Sequence, residues 1–417
     1  MRGRGGPSAP RRPPYRNCPE AKDVRAVDVE AMVTELLADL IAIPSVNPCY
    51  ANLGSSDAGQ YGEGRVAAFV AGLLDRPGFE VSIQPVVPER PNVIVRWPGA
   101  DGSRKLLLET HMDTVGVGTM SIGPFSPTIT EGRVWGRGAC DAKGSLAAMI
   151  TAMLLLHKQG IEPLVDVYLA AVADEEHAFR GVLELVRSGF RADGAIVGEP
   201  TNLRVAVAQK GVARFSIETR GVPCHTSQPE NGTNAIGLMA ELICALEREL
   251  SSLYERRVHP LVGRPTFTVS VIRGGTGINT VPGECKVDID LRVIPGQTPE
   301  SALDEVRQAV QRISEGWERG SAVVHDPFHA DAAMETDGAA VIATCLHHAA
   351  RNHGFHYQPE GLPCGTDASK LVAAGIPAVV FGPGSLQKAH ADAESVEIEQ
   401  LTAAVHILAE TIAGFDP

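Results

Sequence analysis

Residues 105–114 read KLLLETHMDT, an apolar run that ends on polar and metal-ligating residue types. Its length and composition are those of a buried strand. His111 and Asp113 stand two apart at its end. In open α/β sheets, ligands bind beyond the carboxyl ends of the strands, so fold and chemistry are read from the same place. Before it, VSIQPVV and NVIVRW are strand-like; after it come VDVYLAAVA (165–173) and GAIVGE (194–199). Helical spacing fills the gaps at 144–158 and in GVLELVRSG (181–189). Two earlier helical patterns lie at 28–42, ended by IPSVNP, and from near Glu63. Strands alternating with helices predict a mostly parallel sheet with helices on both faces.

The pattern changes after Gln209. ARFSIETRG, FTVSVIRGG and CKVDIDLRV alternate with period two, which puts Asp288, Asp290 and Arg292 on one face. Two helical stretches, 234–253 and 299–316, separate or follow these runs. An antiparallel sheet with two helices on one face is the α+β expectation. From about Pro327 the first pattern returns: helix, strand (GIPAVVFGPG), closing helix. The reading is an α/β catalytic unit of residues 26–208 and 327–417, a smaller α+β unit at 209–326 inserted in it, and a disordered tail at 1–25.

Bulk properties narrow the function. The chain has 417 residues and a net charge of -13, which disfavours nucleic acid as a partner. The longest apolar run, 145–156, is too short to span a membrane. The basic, Pro- and Gly-rich N-terminus lacks the apolar segment of a secretory signal. Eight scattered cysteines without a CxxC pair predict reduced thiols and a cytoplasmic location.

Ligand-type residues recur at predicted strand ends. Asp141 sits in VWGRGACDAKGS, Glu175 and Glu176 in AAVADEEHAF, Glu199 in GAIVGEPT and His390 in FGPGSLQKAHADAES. Each alone has an ordinary explanation: a helix cap, an acidic turn, a surface histidine. Adjacent carboxylates, however, repel unless a cation or proton lies between them. One can bind metal while its neighbour takes a proton from water. Within 209–326, His225 and Asn279 are candidate oxyanion donors and Arg292 a candidate carboxylate grip. Two histidines and several carboxylates at successive strand ends suit zinc with open positions for water and substrate.

With these segments assembled, the chain resembles the M20 metallopeptidase family from about Val33 to its end. HMDT, GRGACDAKG, DEEHAF, GEPT and GPGSLQKAH fall, in order, where that family has its metal site. The resemblance implies two divalent ions, zinc first, with cobalt or manganese as alternatives. It implies His111, Asp141 and Glu199 on one ion and Asp141, Glu176 and His390 on the other. Asp113 would orient His111, and Glu175 would be the general base. His225 would reach the partner's active site in a homodimer, and Asn279 and Arg292 would bind substrate. Ala393 departs from the Asp or Asn usual before the family's Glu, here Glu394, and Cys140 and Cys364 stand near site motifs where cysteine is not required.

The expected function is hydrolysis of an amide in an N-acyl amino acid, as in the acetylornithine deacetylase and succinyl-diaminopimelate desuccinylase branch. A dipeptidase or carboxypeptidase with the same site is the alternative, and a metal-free scaffold relative is disfavoured because every ligand position is filled. A nucleotide-binding α/β protein is set aside, since no GxGxxG opens a helix after the first strand.

Overall fold

The computed structural model describes residues 28–53, 58–118, 120–356 and 358–417. The tail expected at 1–25 lies outside them. The centre of the fold is four parallel strands in the order Val165–Val172, Asp101–His111, Gly194–Val197, Ala378–Val380. The sheet is antiparallel at its margins. On one side the hairpin Glu80–Val87/Arg90–Trp97 joins Val165–Val172. On the other, Ala206–Gln209 pairs antiparallel with Ala378–Val380 and Met334–Glu335, and parallel with Glu360–Leu362.

The parallel strands are buried on both faces, as their continuous apolar runs require. Leu106 and Leu108 point into one core with the helices Val29–Ala42, Lys143–Lys158, Val341–Asn352 and Ile398–Gly414. Leu107, between them, points into the opposite core with Arg180–Arg187 and Ala368–Ala373. The helix Lys143–Lys158 is buried along most of its length. Its close approach to the sheet needs Gly198, where a Cβ would lie 2.8 Å from Ser145 Cβ and 2.9 Å from Met149 Cε.

A second sheet is antiparallel, in the order Thr266–Gly274, Glu284–Val293, Gly211–Arg220, Ser321–Val324. His329–Asp331 adds to Gly211–Arg220, carrying this sheet beyond residue 326. Phe215, Ile217, Ile289 and Leu291 face the helices Ala235–Tyr254 and Pro299–Ser314. Asn234 caps the first helix and a Thr298–Ser301 capping box starts the second. The other face is charged: Asp290 and His329 flank Arg214 in register on adjacent strands. A third small sheet, Thr128–Thr130, Arg133–Trp135 and Ser395–Glu397, consists of strands too short for periodicity to reveal. Among the described residues, no helix is long and apolar enough to cross a membrane.

Candidate metal centre

Four loops bring the predicted ligands to the carboxyl ends of the parallel strands. His111 ends its strand, Glu175 and Glu176 follow Val165–Val172, Glu199 follows Gly194–Val197, and His390 follows Ala378–Val380. Asp141 comes from the turn before the helix Lys143–Lys158. Its carboxylate stands between two imidazoles. Oδ1 is 3.0 Å from His111 Nε2, and Oδ2 is 3.3 Å from His390 Nε2. Glu199 Oε1 lies 3.7 Å from His111 Nε2, and Glu176 Oε1 lies 3.3 Å from His390 Nε2. One donor atom from each of His111, Asp141 and Glu176 lies within 4.8 Å of the others, and the same holds for His111, Glu175 and Glu199.

The donor chemistry of this pocket calls for cations. His111 Nδ1 is 2.9 Å from the Asp113 carbonyl oxygen, which can only accept. Nδ1 therefore carries the hydrogen, and a neutral ring turns the Nε2 lone pair on Asp141 Oδ1. Two lone pairs at 3.0 Å need a proton or a metal ion between them. Burial opposes a charge on His111, yet hydrogen bonds to Asp113 and Asp141, with Glu199 and Glu175 nearby, raise its proton affinity well above the ordinary. Asp141 and Glu176 hold a proton on His390 up to about 10. Burial drives the Glu175 and Glu199 carboxyls well above the usual range. Glu176 Oε1 is buried without a hydrogen bond. Carboxylates concentrated out of water in this way are stable when a cation neutralises them, and imidazole with carboxylate oxygen is a zinc-like donor set. The residues present fit divalent ions.

The layer behind the ligands is mostly new relative to the sequence. The Asp113 carboxylate lies 3.5 Å from His111 Nδ1, but its hydrogen bonds come from Asn47 Nδ2 at 2.8 Å and the backbone N–H groups of Glu175 and Glu176 at 3.1 Å. It therefore pins the paired-glutamate turn as well as the ring. Asn47 also donates to Asp174 (2.9 Å), which accepts from Arg90 (2.8 Å), and Arg90 pairs with buried Glu63. Glu394 collects the Asp141 turn: Oε1 accepts from Cys140 N (2.8 Å) and Asp141 N (3.0 Å), and Oε2 from Arg137 Nη1 (2.6 Å) and Gly138 N (3.1 Å). Lys143 Nζ donates to the carbonyls of Leu40 and Ile43, and burial brings its amine down to about 7. Beneath His111, Glu109 and Asp367 are fully buried; burial and the facing Glu109–Asp367 pair push the Glu109 carboxyl up.

The remaining predicted residues lie apart from this cluster. His225 and Asn279 are exposed neighbours: His225 bridges to Thr280, and Thr226 N donates to the Asn279 carbonyl (3.2 Å). His225 Nδ1 contacts Ser227 Oγ at 2.8 Å. Among the described residues, no hydrogen bond or ion pair joins either one to the metal cluster. Arg292 is engaged by Asp290, through Nε (2.7 Å) and Nη2 (3.3 Å), so its bidentate edge is already used. Cys364 lies between the two regions. Burial pushes its thiol up to about 12, and Glu199, Asp141 and Glu175 act in the same direction while Arg292 opposes them.

A pocket that turns lone pairs on lone pairs at the carboxyl ends of parallel strands is a candidate metal centre. Residues 107–414 match the family model described as Peptidase family M20/M25/M40, and the chain belongs to this family. It is 33% identical over 353 residues to an acetylornithine deacetylase of Myxococcus xanthus, covering 82% of this chain and 90% of that protein. Aminopeptidase PepT of Bacillus cereus superposes with a TM-score of 0.73 at 19% identity, over 92% of this chain and 98% of that one. The YXEP protein of Bacillus subtilis, a dinuclear metal binding peptidase from the M20 family, gives a TM-score of 0.67 at 17% identity, over 92% and 98%.

Proposed function

We propose that this chain is a metal-dependent amidohydrolase that releases the acyl group of an N-acyl amino acid. The observation that carries the reading is Asp141 facing both imidazoles, with Glu175 grouped beside His111. The Myxococcus relative is named for a deacetylation of this kind, which favours an acyl amino acid over a peptide. We assign His111, Asp141 and Glu199 to one ion and Asp141, Glu176 and His390 to a second. Zinc suits these donors best, with cobalt or manganese as substitutes. When bound, the ions supply Lewis acidity to the scissile carbonyl and acidify water in the site.

In this reading Glu175 takes a proton from the attacking water as the carbon–oxygen bond forms. The carbon–nitrogen bond then breaks, and Glu175 returns the proton to the leaving amine. Its raised proton affinity supports the second half of that task. Asp113 keeps the Glu175–Glu176 turn in place. Arg292 takes the substrate carboxylate through its remaining Nη1 edge. We assign the second sheet and its two helices, expected at 209–326 and running here from Gly211 to Asp331, as a lid and dimerisation unit. His225 and Asn279 stand together there, away from the cluster of their own chain, which supports oxyanion donation by His225 of the partner subunit in a homodimer.

The test is amine release by the metal-loaded protein from N-acyl amino acids and dipeptides, with a chelator control. Chelator-sensitive turnover of an acyl amino acid is expected. Glu175→Gln should lower turnover about 100- to 10,000-fold with metal content unchanged. Turnover of dipeptides alone would move the chain to the peptidase reading, and no turnover with metal bound would overturn both.

A further inference from the structure

We infer that Arg214 and His329 form a second anion subsite, so that the preferred substrate carries one carboxylate more than the one gripped by Arg292. The inference rests on the amidohydrolase reading only for the place of the first carboxylate.

It begins with an arrangement in the second sheet. Arg214, Asp290 and His329 stand side by side in register on three adjacent strands, on the face not covered by helices. Asp290 braces two guanidiniums at once: Oδ2 accepts from Arg214 Nε at 2.9 Å, and Oδ1 accepts from Arg292 Nε at 2.7 Å. One negative charge thus holds two positive ones. Among the described residues, neither Nη of Arg214 has a hydrogen-bond partner, nor has Nη1 of Arg292, nor either ring nitrogen of His329. These donors share one neighbourhood, since His329 feels Arg214, Lys370 and Arg292.

The neighbourhood has more positive than negative charge. Lys370 is nearly buried and pairs with Asp331 at 2.9 Å, and Lys210 is buried with its amine on the Arg264 carbonyl. Arg214, Arg292, Lys210 and Lys370 therefore stand against Asp290, Asp331 and Asp367, the last of which shares Lys370. Burial, followed by Arg214, lowers the proton affinity of His329, with Lys370 and Arg292 acting in the same direction and Asp331 opposing them. The ring is then a neutral N–H donor rather than another fixed charge. A partly buried site with a surplus of guanidinium N–H groups recognises a carboxylate by paired, charge-assisted bonds. The same surplus repels a cationic side chain such as that of ornithine.

The subsite adjoins the metal pocket. Phe179 follows Glu175 and Glu176 in one loop, and its ring lies 6.0 Å from the His329 ring with Lys370 Nζ 3.1 Å from its centroid. On the other side, the Cys364 thiol senses Arg292 and the metal-site carboxylates together. A small diacid amide therefore has one carboxylate at Arg292, its amide toward the metal cluster and its second carboxylate at Arg214 and His329.

The experiment is binding calorimetry on the metal-loaded full chain carrying Glu175→Gln, which prevents turnover. Two matched pairs differ by one carboxylate turned into an amide: N-acetylglutamate against N-acetylglutamine, and N-succinylalanine against N-succinamoylalanine. The first pair places the extra charge on the amino acid, the second on the acyl group. In one of them the diacid should bind about 10- to 100-fold more tightly. Adding Arg214→Gln should bring the pair to within a few-fold, and any change in N-acetylalanine binding, transmitted through the Asp290 that Arg214 shares with Arg292, should be smaller than the loss of diacid binding. His329→Gln should reduce the preference partially, and it serves if the Arg214 variant does not fold. Equal binding within both pairs, or a preference that survives both substitutions, overturns the subsite. Turnover by the unsubstituted chain is read separately. Arg214-dependent diacid binding without amide cleavage would refute the hydrolase reading alone; cleavage without diacid preference would refute the subsite alone.

Discussion

Glu394 accepts the backbone N–H of Asp141 at 3.0 Å, so a residue four places after His390 holds the turn that presents the Asp141 carboxylate to both imidazoles. The same side chain neutralises Arg137, which is buried with it. Glu394→Gln keeps the size but removes the charge and one acceptor oxygen. Supporting residues of this kind typically change metal affinity 10- to 100-fold. The expected result is faster metal loss to a competing chelator by roughly that factor, with the fold retained by circular dichroism. Unchanged metal retention would show that the turn is held by other contacts.

Removing metal should destabilise the protein, because the pocket then keeps its carboxylates out of water with only the His111 and His390 protons as counter-charge. Chelator-treated protein should melt lower than metal-loaded protein, and the difference should grow with added zinc as mass action requires, by about 2.7 kcal/mol at 100 times Kd. His390→Ala should purify with less metal than the parent. Asp141→Asn should hold less still, since Asp141 faces both imidazoles. Elemental analysis and melting curves give the answer.

Asp290 supplies a pH signature. Burial would raise its carboxyl, but the hydrogen bonds from Arg214 and Arg292 outweigh that and hold it below its ordinary 3.8. A depressed carboxyl contributes stability that is present above the unfolded value and lost as pH falls through the folded value. Asp290→Asn should therefore unfold at lower urea than the parent at pH 7, by about 1–3 kcal/mol. The gap should shrink below pH 3.8. A gap of the same size at low pH would assign it to packing rather than charge.

Gly198 tests the closeness of helix and sheet. A methyl group there meets Ser145 Cβ at 2.8 Å and Thr110 Cβ at 2.9 Å, with Glu199 the next residue. Gly198→Ala should cost about 1–3 kcal/mol of stability and weaken metal binding by displacing Glu199. A fully stable variant with normal metal content would mean that the helix yields without strain.

Much of the fold was legible because its strands are short apolar runs and its helices long enough for periodicity. Leu106 to Leu108 read as a buried strand, and the alternation of 285–293 placed Asp288, Asp290 and Arg292 on one face. The antiparallel margins were not legible, since pairing direction leaves no mark in an isolated run such as 90–97. The helix Ala368–Ala373 is too short for a helical period. In the site, His111 and the paired glutamates were visible as polar residues ending apolar runs. Asn47, Glu63, Arg90 and Glu394 were not, because only tertiary contacts bring them behind the ligands. The resemblance marked Glu394 without giving it a task. Arg292 read as a free carboxylate grip, and no spacing rule reveals that Asp290 already occupies one edge of it.

The second sheet, with strands from Gly211 to Asp331, lies in the chain between Glu199 and His390. The last predicted ligand and the glutamate that holds the Asp141 turn therefore come from the final 28 residues of the 417. A ribosome delivers the chain from the N-terminus at a pace of about 5–20 residues per second. A growing or prematurely stopped chain thus carries His111, Asp141 and Glu199 but lacks both His390 and Glu394. The site is therefore assembled across the whole second sheet, and its last two residues can join it only after that sheet has been made.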